Sequence, residues 1–405
     1  MNTLKELLES ERLILMGVQE YPTVEGVTFW GGMGVVCKSI SELLVHRGFE
    51  VLVLPRQVTG YQAQQIIYTA KNGVHVLALP TKTYQAGAEN TELYELCPSP
   101  EGMMGLDHAF TTWRYLTENG LKHGIVHGHD WLGAGYLVAA KRANLKTAFS
   151  VHMSSDRTIQ DKLLDKRLEL ENVAGNCADI IHYVSLSQKI ACVTHNWGNH
   201  KSNIVIPNGV DVDKFLPPKE TLTEDYILFV GRLTPEKNVP SLVKGWSMFN
   251  KNFPSVKLVI LGAPGLSLVD VKREIDALSP EQKERVTLKI EMVTEQERID
   301  YYQKSSVCCF PSGKEAFGIV ALEAQSCGKP VVVGNVGGFW ENTVEGTTGV
   351  HVQGNSPESI AQGLEVAYTS RNAWGKNARK FVAEFFSWNT IVEKYIENIY
   401  NPLLE

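Results

Sequence analysis

The chain has 405 residues, 43% hydrophobic and 21% charged, with a formal net charge of -6. That is ordinary globular material, long enough for two or three domains with buried cores. The acidic balance excludes nucleic acid as the main partner, and no apolar run nears the ~18 residues of a membrane span.

Peripheral membrane contact stays open, as does the oligomeric state. Seven cysteines are scattered without a C-x-x-C pair, which predicts free thiols in a reducing, cytoplasmic setting. Residues 1–12 are charged and polar, so no secretory signal is expected.

Short apolar runs at residues 13–18, 51–55, 74–79, 125–129, 147–151, 180–184 and 204–206 read as strands. Helical patterns such as 35–48 separate them, which predicts parallel βα units and an α/β fold. Between the first strand and its helix stands Trp30-Gly31-Gly32-Met33-Gly34. Glycines here let a backbone approach a phosphate at a helix start, or simply make a tight turn. The spacing does not match G-x-G-x-x-G with a later acid, which argues against a nicotinamide dehydrogenase.

The fourth strand ends in His127-Gly128-His129-Asp130-Trp131. Ligands of open parallel sheets bind beyond strand carboxyl ends. Asp130 can hold a sugar hydroxyl there or orient a neighbour. Two histidines alone do not define a metal site, and none is expected. The next strand ends in Ser150-Val151-His152-Met153, where His152 is either a donor to a sugar hydroxyl or phosphate, or a core histidine.

Pro207-Asn208-Gly209-Val210-Asp211 breaks the pattern, and Pro217-Pro218 follows among charges. This predicts a first domain over 1–208, a linker at 209–224 and a second domain over 225–387. Strands are expected at 226–230, 256–261, 286–292, 307–310 and 331–333, with helices at 241–253 and 295–304. The strand at 226–230 leads into Gly231-Arg232-Leu233-Thr234-Pro235-Glu236-Lys237-Asn238. Arg232 can make a bidentate contact to phosphate and Lys237 adds a point charge.

The strand at 307–310 leads into Pro311-Ser312-Gly313-Lys314-Glu315-Ala316-Phe317-Gly318, and 317–326 reads as a helix. Glu315 precedes the helix start and Glu323 lies inside it. A helix start suits a phosphate, which two carboxylates would repel. A ligand with both phosphate and many hydroxyls, a nucleotide sugar, reconciles them. Glu323 sits between Leu322 and Ala324, where a free buried charge is costly, and a ribose diol would give it partners. The last helix, 388–400, is amphipathic and can pack on either domain.

Taken together, these motifs resemble the retaining glycosyltransferases that include glycogen, starch and sucrose-phosphate synthases. The resemblance rests on Gly231-Arg232-Leu233 with Glu236-Lys237-Asn238, Pro207-Asn208-Gly209-Val210-Asp211, and Glu315-Ala316-Phe317-Gly318 with Leu322-Glu323-Ala324. It implies a GT-B fold of two Rossmann-like domains facing a cleft, with 388–405 completing the first. It implies a nucleotide-sugar donor as substrate, with no cofactor and no metal.

By the same resemblance, Arg232 and Lys237 hold the diphosphate and Glu323 takes the ribose hydroxyls. Glu315 contacts the transferred sugar, and the amides around Phe317, Gly318, Ile319 and Val320 face sugar and phosphate. His152 looks like the family histidine at the donor sugar. Asp130 lies in the segment resembling the synthases, and Gly32 and Gly34 would face the phosphates. UDP-glucose is the first donor expected and GDP-mannose the second. A sugar or other small acceptor is expected in the first domain, whose 57–107 region carries no motif; Tyr61, Tyr68, Tyr84 and Tyr94 there either line a sugar site or simply pack. Glucan synthesis, nucleotide-sugar hydrolysis and epimerisation are the alternatives.

Overall fold

A computed structural model describes residues 4–21, 32–57, 67–79, 100–153, 162–193, 202–219, 224–291 and 293–405. The chain divides into two compact units, Met1–Pro207 with Ile391–Glu405, and Asn208–Thr390.

The first unit is built on β1 (Leu13–Glu20), β2 (Glu50–Gln57), β3 (Ile67–Lys71), β4 (Val74–Ala78), β5 (Ile125–His129), β6 (Lys146–Val151), β7 (Ile180–Tyr183) and β8 (Ser202–Val205). Their order across the sheet is β3-β4-β2-β1-β5-β6-β7-β8. Every neighbouring pair runs parallel except β3 with β4. Leu13, Ile14, Leu15 and Met16 are all fully buried. A strand apolar on both faces needs helices on both faces, which is the parallel arrangement.

The second unit holds β9 (Tyr226–Arg232), β10 (Lys257–Ala263), β11 (Val286–Lys289), β12 (Val307–Phe310), β13 (Val331–Gly334) and β14 (Gly349–Val352). They lie in the order β11-β10-β9-β12-β13-β14, all parallel. Each sheet has a central reversal point, between β1 and β5 and between β9 and β12, where successive units turn to opposite sides. Such reversal points open a crevice beyond the strand carboxyl ends.

Two strands were not expected. Ile67–Lys71 pairs antiparallel with β4 through Asn72-Gly73, both at positive φ. Asn-Gly between two β-prone runs is a hairpin signal. Gly349–Val352 is short and opens on glycine, so nothing in its composition distinguished it from a loop. The run expected at 286–292 ends as a strand at Lys289.

The segment expected as a linker is docked on the second unit in its described part. Arg379 Nη1 donates to the carbonyls of Val212 and Phe215, and Gln303 Nε2 to that of Leu216. Among the described residues no helix is long and apolar enough to cross a membrane.

The terminal helix Trp388–Tyr395 continues as a π turn, Ile396–Tyr400. Ile391, Val392, Tyr395, Ile399 and Tyr400 are buried, and residues from Ile391 onward belong to the first unit. Tyr400 Oη lies 2.8 Å from His127 Nδ1, and Arg47 Nε donates to Glu393 at 2.8 Å. Tyr400→Phe deletes one buried hydrogen bond while keeping the ring. It is expected to cost about 1–2 kcal/mol, against about 3–5 kcal/mol for Tyr400→Ala. Urea unfolding checks both; equal losses in the two variants would contradict the hydrogen bond.

Candidate active site

In the second unit, the loops after β9 and β12 flank the reversal point and are tied together. Gly313 N donates to the Glu236 carbonyl at 2.7 Å, and Asn238 Nδ2 to the Pro311 carbonyl at 3.0 Å. Asn238 adopts φ 52, which turns the chain from the 3-10 segment Pro235–Lys237 into the helix Val239–Asn250. Lys237 Nζ donates to Glu315 Oε2 at 2.6 Å, with side chains 19% and 14% exposed. The pair joins residues far apart in sequence at one sheet edge.

Arg232 ends β9 with its side chain exposed. It makes no hydrogen bond or ion pair to the described residues. Leu233, beside it, is fully buried and exchanges backbone bonds with Ala263 and Ser267 at 2.9 Å. The Ala263-Pro264-Gly265 loop thus braces the arginine. A Cβ at Gly265 would lie 2.4 Å from the Leu233 carbonyl.

The expected helix 317–326 begins later, at Ile319, and runs to Ser326. Phe317 is buried ahead of it and Gly318 forms the N-cap at φ 87. A Cβ on Gly318 would meet the Phe339 ring at 2.3 Å. The amides of Ile319 and Val320 head the helix, where α-helical geometry leaves N–H groups unpaired. This end is suited to an anion.

Glu323 is 4% exposed. Its Oε2 accepts from Tyr302 Oη at 2.9 Å, and Arg298 Nη2 lies 3.2 Å from Oε1. Burial raises its pKa, and the Arg298 charge and Tyr302 hydroxyl oppose that. The carboxylate therefore has protein partners before any ligand arrives. Arg298 and Tyr302 escaped the sequence reading because they lie on the preceding helix Glu295–Lys304, whose polar pattern resembles any solvated helix. Gly337 and Gly338 were missed too. A Cβ at Gly337 would sit 1.7 Å from the Glu315 carbonyl, and Gly338 N donates to that carbonyl at 3.2 Å. The signal was a Gly-Gly pair just past a strand end.

In the first unit, Trp30 and Gly31 lie outside the described residues. Gly32 and Gly34 fall in the first turn of the helix Gly32–His46, with Gly32 exposed and Gly34 buried. Tyr61, Tyr84 and Tyr94 also lie outside the described residues, as does the side chain of Tyr68. Asp130 follows β5 at φ 50. Its Oδ1 accepts the amides of His152 at 2.7 Å and Met153 at 3.3 Å. Burial pushes the carboxyl up to about 7 against those two donors.

His152 is 9% exposed, with Nε2 2.8 Å from His129 Nδ1. His127 reaches Tyr400 and Ser150, and Ser150 Oγ lies 2.7 Å from His182 Nδ1. The His-x-His pair stacks at 4.4 Å between ring centroids and joins His152 in one buried cluster of rings; both His127 nitrogens and His129 Nδ1 have partners, and His129 Nε2 has none among the described residues.

Burial holds these imidazoles neutral. His152 is lowered to about 3 and His182 to about 4, with His127 and His129 well below the usual 6.5. Unfolding below pH 6.5 lets all four take protons, so stability present above 6.5 is lost as pH falls. Asp130, protonated up to about 7 in the fold, opposes this by releasing one proton. Three net protons give a loss on the order of 3–4 kcal/mol per pH unit between pH 6 and 5. Urea unfolding followed at pH 7, 6 and 5 measures it, and a flat profile would contradict the neutral cluster.

Comparison with known proteins places these features. A family model described as "Glycosyl transferases group 1" matches residues 213–381, and "Glycosyltransferase Family 4" matches residues 30–214. A D-inositol 3-phosphate glycosyltransferase from Corynebacterium urealyticum is 26% identical, covering 91% of this chain and 90% of its own. The sucrose-phosphate synthase structure from Thermosynechococcus elongatus superposes with TM-score 0.74 at 21% identity, covering 96% of this chain and 98% of that one. An Anabaena HepE structure in complex with UDP and glucose gives TM-score 0.72 at 16% identity, covering 96% and 100%. With the two family models running from residue 30 to residue 381, the chain belongs to the group 1 and family 4 glycosyltransferases and has their GT-B fold.

Proposed function

We propose that this glycosyltransferase moves a hexose from a nucleotide-sugar donor to a small hydroxylated acceptor, with retention at the anomeric carbon. The observation that carries the reading is the Lys237–Glu315 contact beside the head of the helix Ile319–Ser326. A cation, an acid and unpaired amides stand together at the reversal point of the donor-type sheet. A sugar diphosphate offers each a partner: phosphate oxygens for Lys237, Arg232 and the Ile319 and Val320 amides, hydroxyls for Glu315.

In the proposed reaction, the acceptor oxygen forms a bond to the anomeric carbon as the carbon–oxygen bond to the diphosphate breaks. The acceptor proton passes to the departing phosphate on the same face. Negative charge grows on that phosphate, and fixed cations and helix amides stabilise it. The cations supply what a metal would otherwise supply, and no cofactor takes part.

Glu323 is assigned the ribose hydroxyls and the second unit the donor. The first unit, with the terminal helix, is assigned the acceptor, and His152, Asp130, Gly32 and Gly34 complete the set. UDP-glucose is the first donor to test, with GDP-mannose second. The named activity of the D-inositol 3-phosphate glycosyltransferases, matched along nearly their whole length, favours a small polyol or sugar over a glucan chain. The free thiols support a cytoplasmic setting.

Lys237→Ala is expected to lose transfer by roughly 10²–10³-fold in kcat with little change in melting temperature. The assay is a donor-by-acceptor screen read by mass spectrometry, in which the anomeric configuration of the product is also determined by NMR. Near-normal turnover in that variant would sink the phosphate assignment; an inverted product would sink retention.

A further inference from the structure

We propose that the second unit carries a separate anion site, for a phosphate monoester or diphosphate, at the sheet edge opposite Arg232, Lys237 and Glu315. A cavity of about 770 Å³ opens where its central strands begin. Asp225 precedes β9, Ser305 and Ser306 precede β12, and Lys329 precedes β13. The seven residues of β9 separate this edge from Arg232 by about 20 Å. The volume suits a ligand the size of a sugar phosphate.

The wall is basic in a chain whose net charge is -6. Five Lys and Arg side chains line it against two carboxylates, Glu224 and Asp225. Both acids are already engaged. Glu224 lies 3.4 Å from Lys304, and Asp225 accepts from the Ser306 and Tyr368 hydroxyls. The remaining cations have no carboxylate within ion-pair distance among the described residues. Arg379 is held by backbone carbonyls and Ser326. Arg371 donates to the Tyr368 carbonyl and lies over that ring. Lys329 and Lys376 make no side-chain hydrogen bond or ion pair among the described residues.

Lys329 is the informative member. It is half-buried, and burial lowers its ammonium pKa. An unpaired, partly desolvated cation is costly unless an anion meets it. Its place just past the helix Ile319–Ser326 gives it some help from the helix dipole. That help does not extend to Lys376 or Arg371, which lie on another helix, Arg371–Phe385. The first turn of this second helix, Arg371 and Asn372, also lines the cavity, and Ser370 makes no side-chain cap there. Its leading N–H groups add to the anion's partners.

The site is preformed. A Cβ on Gly375 would lie 2.2 Å from the Gly328 carbonyl, so the helix carrying Arg371 and Lys376 sits directly on the turn carrying Lys329. The backbone that presents the cations is therefore fixed before any ligand binds.

The test is calorimetric titration of the full chain with pyrophosphate and, separately, with a hexose 6-phosphate. At least one is expected to bind, and Lys329→Gln/Lys376→Gln is expected to weaken it by roughly tenfold or more. Lys237→Ala removes a cation of the proposed donor site, and should leave in place the component of binding that the cavity variant loses. Lys376→Glu alone changes an exposed residue, folds normally, and should also weaken it. Tighter binding of the hexose phosphate identifies a phosphorylated sugar as the ligand type, and tighter binding of pyrophosphate an inorganic one. The proposal is overturned if neither probe binds at roughly 10 mM, or if binding survives both cavity variants.

Discussion

The contact between Lys237 and Glu315 is the constraint around which the second unit is arranged. Two half-buried charges stand 2.6 Å apart at the point where the strand order reverses. Each side chain keeps some contact with solvent, 19% and 14% exposed, so losing one partner frees the other to move more than it strands a charge. The loops that carry them are fastened by backbone as well, through Gly313 to Glu236 and Asn238 to Pro311. Gly337 and Gly338 let a third loop close on Glu315 from the far side, at a distance no larger residue allows. The pair also answers an electrostatic difficulty: an isolated carboxylate beside an anion site would repel a diphosphate, whereas one already bound to an ammonium does not.

Much of this was legible because it depends on local chemistry. Apolar runs of four to seven residues between turn residues marked most strands, since a parallel strand is buried on both faces and needs no alternation. Glu323 stood out because a charge in an apolar helix needs a reason, and Glu315 because an acid ahead of a helix start that suits phosphate needs one. What was illegible depends on distance. Tyr302 and Arg298 face Glu323 only after the helix Glu295–Lys304 packs beside it, and nothing in their own segment signals that. Gly318 was read as lying within a helix because composition does not report φ 87. The strand Gly349–Val352 exists because β13 offers it a partner, not because its residues demand it.

The first unit shows how the same spacing can support a different role. Asp130 was read as either a hydroxyl contact or an orienting group, and in the fold it orients the turn beside it. Its carboxylate caps the amides of His152 and Met153 and so sets the turn after β6. His152 in turn bonds inward to His129, which stacks on His127, and His127 bonds to Tyr400 of the terminal segment. The histidine likened to the family's donor-sugar contact is thereby held by the same network that anchors the chain's last residues. Position at that strand end is thus coupled to the C-terminus through side chains that remain neutral.

Glu323 carries the argument furthest from sequence to chemistry. Each of its oxygens has one protein partner, Tyr302 for Oε2 and Arg298 for Oε1. A carboxylate oxygen accepts more than one hydrogen bond, so lone pairs remain for the ribose diol assigned to it. Arg298 opposes the burial that would neutralise the acid, and the ionised form is the better acceptor. Fixing the carboxylate in advance removes the rotamer entropy that a free glutamate would lose on binding. The two glutamates are thus prepared in the same manner. Each is held by a cation from another segment, Glu315 by Lys237 and Glu323 by Arg298, so that both acids present hydrogen-bond acceptors with their charge already countered.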